Sequence, residues 1–181
     1  MKFEKTNFDG LLIIQSDVYK DKRGLFFESF NERKYREAGI VDKFVQDNIS
    51  KSGQDTIRGL HLQIGEKAQG KLCQVISGSV LDVAVDVRTK SATFGKYFSI
   101  LLSDENHLQL WIPKGFAHGF LVLSETAIFS YKCTEFYDRE SERSILFNDP
   151  DLNIDWGIKN AIVSDKDLDA LTFQQFKSQN L

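Results

Sequence analysis

The strongest indication of the fold comes from residues 72–87, which read LCQVISGSVLDVAVDV. Apolar and polar residues alternate on both sides of Gly78-Ser79, and glycine adopts a positive φ without steric cost, so the segment predicts a β-hairpin. The alternation in its second arm allows two interpretations. A polar face is typical both of a barrel with a polar lumen and of a sheet with one face exposed to water. Both alternatives stay open. The two faces consist of Leu81, Val83, Val85 and Val87, and of Asp82, Ala84, Asp86 and Arg88.

Other short runs rich in Val, Ile, Leu, Phe and Tyr predict further strands along the chain. Their spacing of roughly ten residues favours a sandwich or barrel over alternating β and α units. The predicted strands are Leu11–Gln15, Leu25–Phe30, Lys43–Asn48, Ile57–Gln63, Leu72–Ser77, Val80–Val87, Tyr97–Leu102, Gln109–Ile112, Gly119–Leu123, Ala127–Thr134 and Ser144–Phe147.

Helices are expected at only two places. Asn31 is suited to cap a helix over Glu32–Ala38, and Gly39 supplies the left-handed residue that commonly ends one. A weaker helical pattern covers Leu168–Phe176. Because 181 residues suit one domain, we expect a single, mainly β domain over residues 1–181 with a few short helices.

Composition and charge exclude several classes of protein. The chain is 41% hydrophobic, enough for a sizeable core, and its 23 basic and 26 acidic residues form no basic stripe for nucleic acid. No segment approaches a membrane span, and the start lacks the apolar stretch of a secretory signal. Cys73 and Cys133 lie in apolar runs, where a buried thiol is expected. We therefore expect a cytoplasmic protein that binds neither nucleic acid nor membranes.

Polar residues on predicted strands are candidates for a site. His61 and Gln63 share one face of their strand, opposite Leu60 and Leu62, so His61 faces a polar environment. Lys71 precedes the next strand, and the two side chains are expected in one concavity. An imidazole suits proton transfer at neutral pH when a partner orients it, and the acidic sequence SDKD at 164–167 supplies carboxylates for that purpose.

Two further residues add to this candidate site. Tyr131 shares a strand face with Phe129 and Cys133, and its phenol would be a proton donor if it lay across a cavity from a histidine. His118 ends PKGFAH at 113–118, which is similar to the Pro-x-Gly-x-x-His turn of the second cupin motif. Cupin metal sites usually also use His-x-His, whereas this chain has His61-Leu62-Gln63, so we expect no metal site. Motifs of hydrolases, dinucleotide oxidoreductases and NTPases are absent from the sequence.

Together these segments resemble the dTDP-4-dehydrorhamnose 3,5-epimerase family, metal-free cupins of deoxysugar nucleotide synthesis. The resemblance runs almost end to end, which implies a cupin-type jelly-roll barrel. It rests on DKRGLFFESF (21–30), QDNIS (46–50), RGLHLQ (58–63), AQGKL (68–72), GSVLDVAVDVR (78–88), LWIPKGFAHGF (110–120), Tyr131, Phe136-Tyr137 and SDKD (164–167).

The resemblance implies cofactor-independent inversion at C3 and C5 of a dTDP-4-keto-6-deoxy hexose. His61 matches the base, Asp167 its orienting carboxylate and Tyr131 the proton donor, while Lys71 matches the residue that stabilises the C4 oxygen as the enolate forms. Substrate-binding positions of the family are matched by Arg23, Glu28, Gln46, Asn48, Arg58, Lys71, His118, Tyr137, Glu142 and Lys166.

In this family the N-terminal strands cross to a second subunit, so the resemblance also implies a homodimer. Phe136, Phe147 and Gly157 depart from the residues common in the family, but none belongs to the proton-transfer set. Two alternatives stay open. One is a relative that inverts only C3 or C5, or uses another nucleotide. The other is a non-catalytic cupin that binds a sugar nucleotide or a partner protein.

Overall fold

The structure is a computed structural model that describes residues 1–180. The predicted domain extends to Leu181, which lies outside the described residues. The strands and helices are β1 (Lys2–Lys5), β2 (Leu12–Gln15), β3 (Tyr19–Asp21), β4 (Gly24–Phe26), α1 (Glu32–Glu37), β5 (Gln46–Gly53), β6 (Ile57–Gln63), β7 (Lys71–Ser77), β8 (Ser79–Asp86), β9 (Tyr97–Ser103), β10 (Leu108–Ile112), β11 (Phe116–Val122), β12 (Thr126–Cys133), β13 (Glu142–Ser144), α2 (Asp165–Leu168) and α3 (Phe173–Asn180).

Two antiparallel sheets form the body of the molecule. The first has the order β1-β2-β10-β7-β12-β5, the second β13-β6-β11-β8-β9, and β3 and β4 form a separate hairpin. Side chains from both sheets share one core, because Cys73 and Phe129 of the first sheet pack with Ala84 and Phe120 of the second. The mainly β architecture with a few short helices is confirmed.

Strand β8 decides between the two interpretations of the hairpin. Val83 and Val85 point away from the space between the sheets and pack with Trp156 and the C-terminal Phe173. Residues of the other face point inward, and the carboxylate of Asp82 is fully buried there. Both faces of β8 are therefore covered, and the polar face belongs to the barrel interior rather than to a wet surface.

Several predicted strands have different ends in the structure. The prediction Leu25–Phe30 is wrong beyond Phe26, because the chain then leads into α1 and Glu28 accepts a hydrogen bond from Asn31. The prediction Lys43–Asn48 began too early and ended too soon. Strand β5 runs to Gly53 because it pairs along its whole length with β12, although its own sequence is largely polar. Polar edge strands give a weak periodic signal.

Local sequence predicted α1 well but not the C-terminal helices. Asn31 accepts a hydrogen bond from Lys34 N at 3.3 Å, and Gly39 has a φ of +93°. The predicted helix Leu168–Phe176 is divided into α2 and α3. Leu171 interrupts it, because this residue forms a β-bridge with Ile145. No helix within residues 1–180 is long and apolar enough to cross a membrane.

Candidate active site

Two adjoining cavities open between the sheets and share His61, Lys71 and Tyr131. Their volumes are about 360 and 490 Å³. His61 comes from β6 of the second sheet, whereas Lys71 and Tyr131 come from β7 and β12 of the first. The structure thus brings these three predicted catalytic side chains to one cleft from two different walls, and Asp167 also lines the larger cavity.

The fourth predicted catalytic residue, Asp167, lies directly behind His61. Its Oδ1 is 2.6 Å from His61 Nε2, and its Oδ2 accepts the backbone N–H of Gly59 at 3.3 Å. Helix α2 presents this carboxylate, because Ser164 caps the helix and bonds to Asp167 N. Burial opposes ionisation, but the hydrogen bonds from His61 and Gly59 outweigh it and hold the pKa of Asp167 below its usual value.

This pair fixes the role of each nitrogen of the imidazole. A buried carboxylate accepts a hydrogen bond, so Nε2 of His61 carries the proton that faces Asp167. The lone pair then lies on Nδ1, which makes Nδ1 the basic atom. The His61 side chain is 32% exposed, while that of Asp167 is 4% exposed. The imidazole can therefore reach a ligand in the cleft, and its partner remains shielded from water.

Lys71 is a buried cation at the edge of the cleft. Its Nζ donates a hydrogen bond to the His61 carbonyl at 3.2 Å and lies 5.9 Å from the centre of the Tyr131 ring. Burial lowers the pKa of Lys71, while electrostatic interactions with Cys133, Cys73 and Asp82 oppose that shift. An ammonium group with further N–H donors beside the cleft is well suited to stabilise a negative oxygen there.

Tyr131 lies on the wall opposite His61. Burial raises the pKa of its phenol to about 12, so the hydroxyl is protonated at neutral pH. A protonated phenol can act as a proton donor. The cleft therefore contains a potential base and a potential acid on opposing sheets.

His118 extends the cleft toward the barrel interior. It is the cross-strand neighbour of His61 in the β6–β11 pairing. Its Nε2 lies 3.1 Å from each carboxylate oxygen of Asp82, and its ring stacks on Phe129. Burial lowers the pKa of His118, although Asp82 opposes the shift. His118 is 6% exposed and lines the larger cavity.

Predicted binding residues form a polar network at the mouth of the smaller cavity. Tyr137 OH donates to Glu142 Oε2 at 3.0 Å, and Lys166 Nζ donates to the same oxygen at 2.6 Å. Gln46 Nε2 donates to Asn48 Oδ1 at 3.1 Å. Arg58 lines the larger cavity and is held by Ser52 at 3.0 Å. Six of the predicted binding residues thus surround the cleft, in addition to His118 and Lys71.

Arg23 and Glu28 are not brought to this cleft. Arg23 lies on the β3–β4 hairpin, is 84% exposed and pairs with Asp21. Glu28 pairs with Lys34 and Asn31. Within one chain, these two predicted binding residues are therefore separated from the other eight.

Some residues of the site escaped the sequence analysis. Asp82 appeared there only as part of a polar face, and nothing in the sequence indicated that it would meet His118. Ser50 and Thr56 line the larger cavity, and Gln69 lines the smaller one. The alternation of Gln46, Asn48 and Ser50 on one face of β5 was the available signal for Ser50.

One group of side chains among residues 1–180 has a composition that could hold a metal ion. The donor atoms of Cys73, Asp82 and His118 all lie within 4.8 Å of one another, and all three residues are buried. This group differs from the three-histidine set of other cupins, whose absence was noted from the sequence. It lies behind the cleft, in the barrel interior.

Comparison with known proteins identifies the same family along nearly the whole chain. A family model described as dTDP-4-dehydrorhamnose 3,5-epimerase matches residues 5–175. The dTDP-4-dehydrorhamnose 3,5-epimerase of Shigella flexneri is 49% identical over 174 residues, which cover 96% of each chain.

Two solved structures are informative. The dTDP-6-deoxy-D-glucose-3,5-epimerase of Legionella pneumophila Philadelphia 1, in complex with dTDP-4-keto-L-rhamnose, has a TM-score of 0.95 and 48% identity, covering 99% of this chain and 96% of that one. ChmJ, a 3'-monoepimerase of Streptomyces bikiniensis in complex with dTDP-quinovose, has a TM-score of 0.91 and 28% identity, covering 97% and 89%.

These similarities confirm the resemblance inferred from the motifs, together with the cupin-type barrel. The family match and the Shigella relative cover far more than half of the chain. The chain is therefore an isomerase that belongs to the dTDP-4-dehydrorhamnose 3,5-epimerase family.

Proposed function

We propose that this enzyme inverts C3 and C5 of dTDP-4-dehydro-6-deoxyglucose and so produces dTDP-4-dehydrorhamnose, without a cofactor. The observation that carries the proposal is the placement of His61 and Tyr131 on two opposing sheets around one cavity. Inversion needs two groups on opposite faces of the sugar or rotation of the sugar, because a base that returns its proton to the same face regenerates the starting configuration.

The first half of each inversion is removal of a proton from carbon. The C4 ketone acidifies the hydrogens on C3 and C5, and Nδ1 of His61 accepts one of them. The electron pair of the broken C–H bond then forms the enolate. Asp167 stabilises the resulting imidazolium through the 2.6 Å contact with Nε2. Lys71 donates a hydrogen bond to the enolate oxygen at C4, where the negative charge develops.

The second half is protonation from the opposite face. The Tyr131 hydroxyl gives its proton to the carbon, and the enolate collapses to the ketone. The phenolate then regains a proton from solvent, and the His61 imidazolium releases its proton to solvent. A pKa of about 12 keeps Tyr131 protonated before the step. Deprotonation by His61 and protonation by Tyr131 at each of the two carbons complete the double inversion.

The nucleotide diphosphate requires cationic and hydrogen-bonding groups next to the reacting sugar. We assign Arg58, His118 and Lys166 to the substrate, because all three line the larger cavity and the Lys166 side chain is also 58% exposed. Three polar residues of the smaller cavity, Gln46, Asn48 and Glu142, complete the contacts with the substrate. Tyr137, which is 56% exposed, stacks on the base.

We also propose that the enzyme is a homodimer in which Arg23 and Glu28 act on the partner's site. The β3–β4 hairpin supports this proposal, because Tyr19 is 66% and Phe26 68% exposed. A small hairpin with large apolar side chains in water is typical of a segment that packs on another subunit.

A cytoplasmic location fits the two free thiols, Cys73 and Cys133.

One alternative has direct support from the comparisons. The 3'-monoepimerase ChmJ shares this fold, so the fold alone does not require inversion of both carbons. A non-catalytic binding protein is disfavoured, because binding does not require a base, an orienting carboxylate and an opposed acid in one cavity.

Solvent exchange tests the proposal. The enzyme is incubated with the 4-keto sugar nucleotide in deuterated water, and the product is analysed by mass spectrometry and NMR. Deuterium at both C3 and C5, with both centres inverted, supports the double epimerase. Exchange at one carbon only supports a single-carbon epimerase. Tight binding with no exchange at either carbon would overturn the enzymatic assignment.

A further inference from the structure

Three metal-binding side chains meet inside the barrel behind the proposed reaction cavity. Cys73 comes from β7, Asp82 from β8 and His118 from β11, so the two sheets together build the group. Cys73 and Asp82 are fully buried, and His118 is 6% exposed. The catalytic mechanism uses neither the thiol nor the carboxylate directly.

The distances within this group are close to those of a tetrahedral zinc site. His118 Nε2 lies 3.8 Å from Cys73 Sγ and 3.1 Å from each carboxylate oxygen of Asp82. For ordinary zinc bond lengths, the edges of a tetrahedron are about 3.6 Å between N and S and about 3.3 Å between N and O. These two donor pairs therefore need a shift of only a few tenths of an ångström to hold a metal, and Cys73 Sγ lies within 4.8 Å of the Asp82 carboxylate.

We propose that Cys73, Asp82 and His118 form a binding site for a thiophilic divalent cation such as Zn²⁺, and that an occupied site inhibits the enzyme. Thiolate, imidazole and carboxylate together select zinc-like metals over Mg²⁺ or Ca²⁺. The fourth coordination position is left to water from the cavity of about 490 Å³, which His118 lines. The same cavity gives the metal its path to the site.

The inhibitory part of this proposal rests on the proposed function of Lys71 and His118. Lys71 and Cys73 lie two positions apart on one face of β7, and Lys71 interacts electrostatically with both Cys73 and Asp82. A dication bound there repels the ammonium that we assign to the C4 oxygen. It also draws His118 away from the nucleotide sugar. When the metal binds, the proton of the thiol passes to solvent, while the neutral imidazole of His118 keeps its one proton on Nδ1 and binds the metal through Nε2.

Cobalt titration tests the site without substrate. Co²⁺ is added to the metal-free protein, and the absorption spectrum is recorded. We expect tetrahedral ligand-field bands and a thiolate-to-cobalt charge-transfer band that saturate at one ion per chain. Absence of both features at saturating Co²⁺ would overturn the site.

Cys133→Ser is the matched control for Cys73→Ser, because both thiols are free and buried and only Cys73 faces His118. Cys73→Ser should lose the charge-transfer band, while Cys133→Ser should keep it. The reverse result would show that the metal binds elsewhere. Asp82→Asn provides a second variant. Loss of an outer-shell partner lowers metal affinity by about 10- to 100-fold, and loss of the ligand Asp82 should lower cobalt affinity by more than that. Circular dichroism of each variant verifies folding.

Inhibition is measured separately. Zn²⁺ should lower the turnover of wild-type enzyme, a chelator should restore it, and Cys73→Ser should lose at least about 10-fold in zinc sensitivity relative to its own metal-free rate. A cobalt-binding protein whose turnover is unaffected by Zn²⁺ would overturn the inhibitory part alone. A protein that binds cobalt as expected but catalyses no exchange would overturn the proposed function and leave the metal site intact.

Discussion

The carboxylate of Asp167 lies 2.6 Å from Nε2 of His61, although 106 positions separate the two residues in the chain. This contact leaves Nδ1 as the basic atom and supplies a buried anion that stabilises the imidazolium. Helix α2 turns this carboxylate inward behind β6, while its neighbours in the chain stay at the surface.

Asp167→Asn should lower turnover by about 10²-fold or more. The amide retains the size of the side chain but removes the charge that stabilises protonated His61. Steady-state rates measured beside Asp165→Asn and Asp169→Asn test this, because those two carboxylates are exposed and should behave nearly as wild type. A rate loss in Asp165→Asn without one in Asp167→Asn would contradict the assignment.

Removal of the base should abolish exchange at carbon, whereas removal of the acid should obstruct inversion. His61→Ala should abolish deuterium exchange at both carbons, because no other group in the proposed mechanism accepts the proton. Tyr131→Phe retains the aromatic ring and loses only the hydroxyl, so exchange at carbon should continue while inversion is obstructed. NMR in deuterated water distinguishes the two outcomes. Equal and complete loss of exchange in both variants would show that this division of roles is wrong.

Sequence and structure agree best where the contacts that determine a feature are local. Alternation along 57–63 placed His61 and Gln63 on the polar face of a strand, and the structure has both residues lining the smaller cavity. Asn31 and Gly39 predicted the ends of α1. In each case the neighbours that determine the local structure lie within a few positions of the residue, so the local sequence pattern is enough to predict it.

The remaining features depend on contacts between distant segments. Only the family resemblance identified Asp167 as the carboxylate that orients His61, because local sequence cannot distinguish it from Asp165 or Asp169. The break between α2 and α3 depends on the bridge from Leu171 to Ile145, which no helix propensity encodes. The pairing of Asp82 with His118 likewise requires the register of β8 against β11, where Ala84 rather than Asp82 is the direct partner of His118.

If Arg23 of one subunit acts in the active site of the other, two impaired variants should complement each other in mixed dimers. Arg23→Ala and His61→Asn should each be impaired as pure proteins. After joint unfolding and refolding, mixed dimers would contain one intact site, so activity should recover to about a quarter of that of wild type. Mixing His61→Asn with Lys71→Ala is the control, because both residues line the same cavity of one chain and no intact site forms. Equal recovery in the control, or none with Arg23→Ala, would contradict the shared site.

Chelation should leave turnover unchanged, or raise it if the protein has acquired zinc. The proposed base, acid and electrostatic partner are all side chains, so no step depends on a metal. The rate is measured before and after dialysis against a chelator, with residual metal determined by elemental analysis. Loss of turnover that one specific metal restores would refute a cofactor-independent mechanism.

Acid stability should depend on Asp86, a fully buried carboxylate at the end of β8 and outside both cavities. Burial disfavours its charge, but hydrogen bonds from Arg88, Ser91 and Thr93 outweigh that effect and lower the pKa of Asp86 from 3.8 to about 2. Because the pKa is lower in the folded chain, the unfolded chain takes up the proton first as the pH falls. The stabilisation is therefore complete above about pH 4 and disappears between about pH 4 and pH 2.

Asp86→Asn should consequently lower the free energy of unfolding at pH 7 by about 2 kcal/mol. The difference between variant and wild type should narrow as the pH falls through that window, because the wild-type carboxylate becomes protonated while the amide does not titrate. Urea unfolding at a series of pH values measures both quantities. Asp165→Asn makes the same chemical change at an exposed position and should leave the curve unchanged. A difference between Asp86→Asn and wild type that stays constant from pH 7 to pH 2 would show that the loss comes from packing rather than from the buried charge.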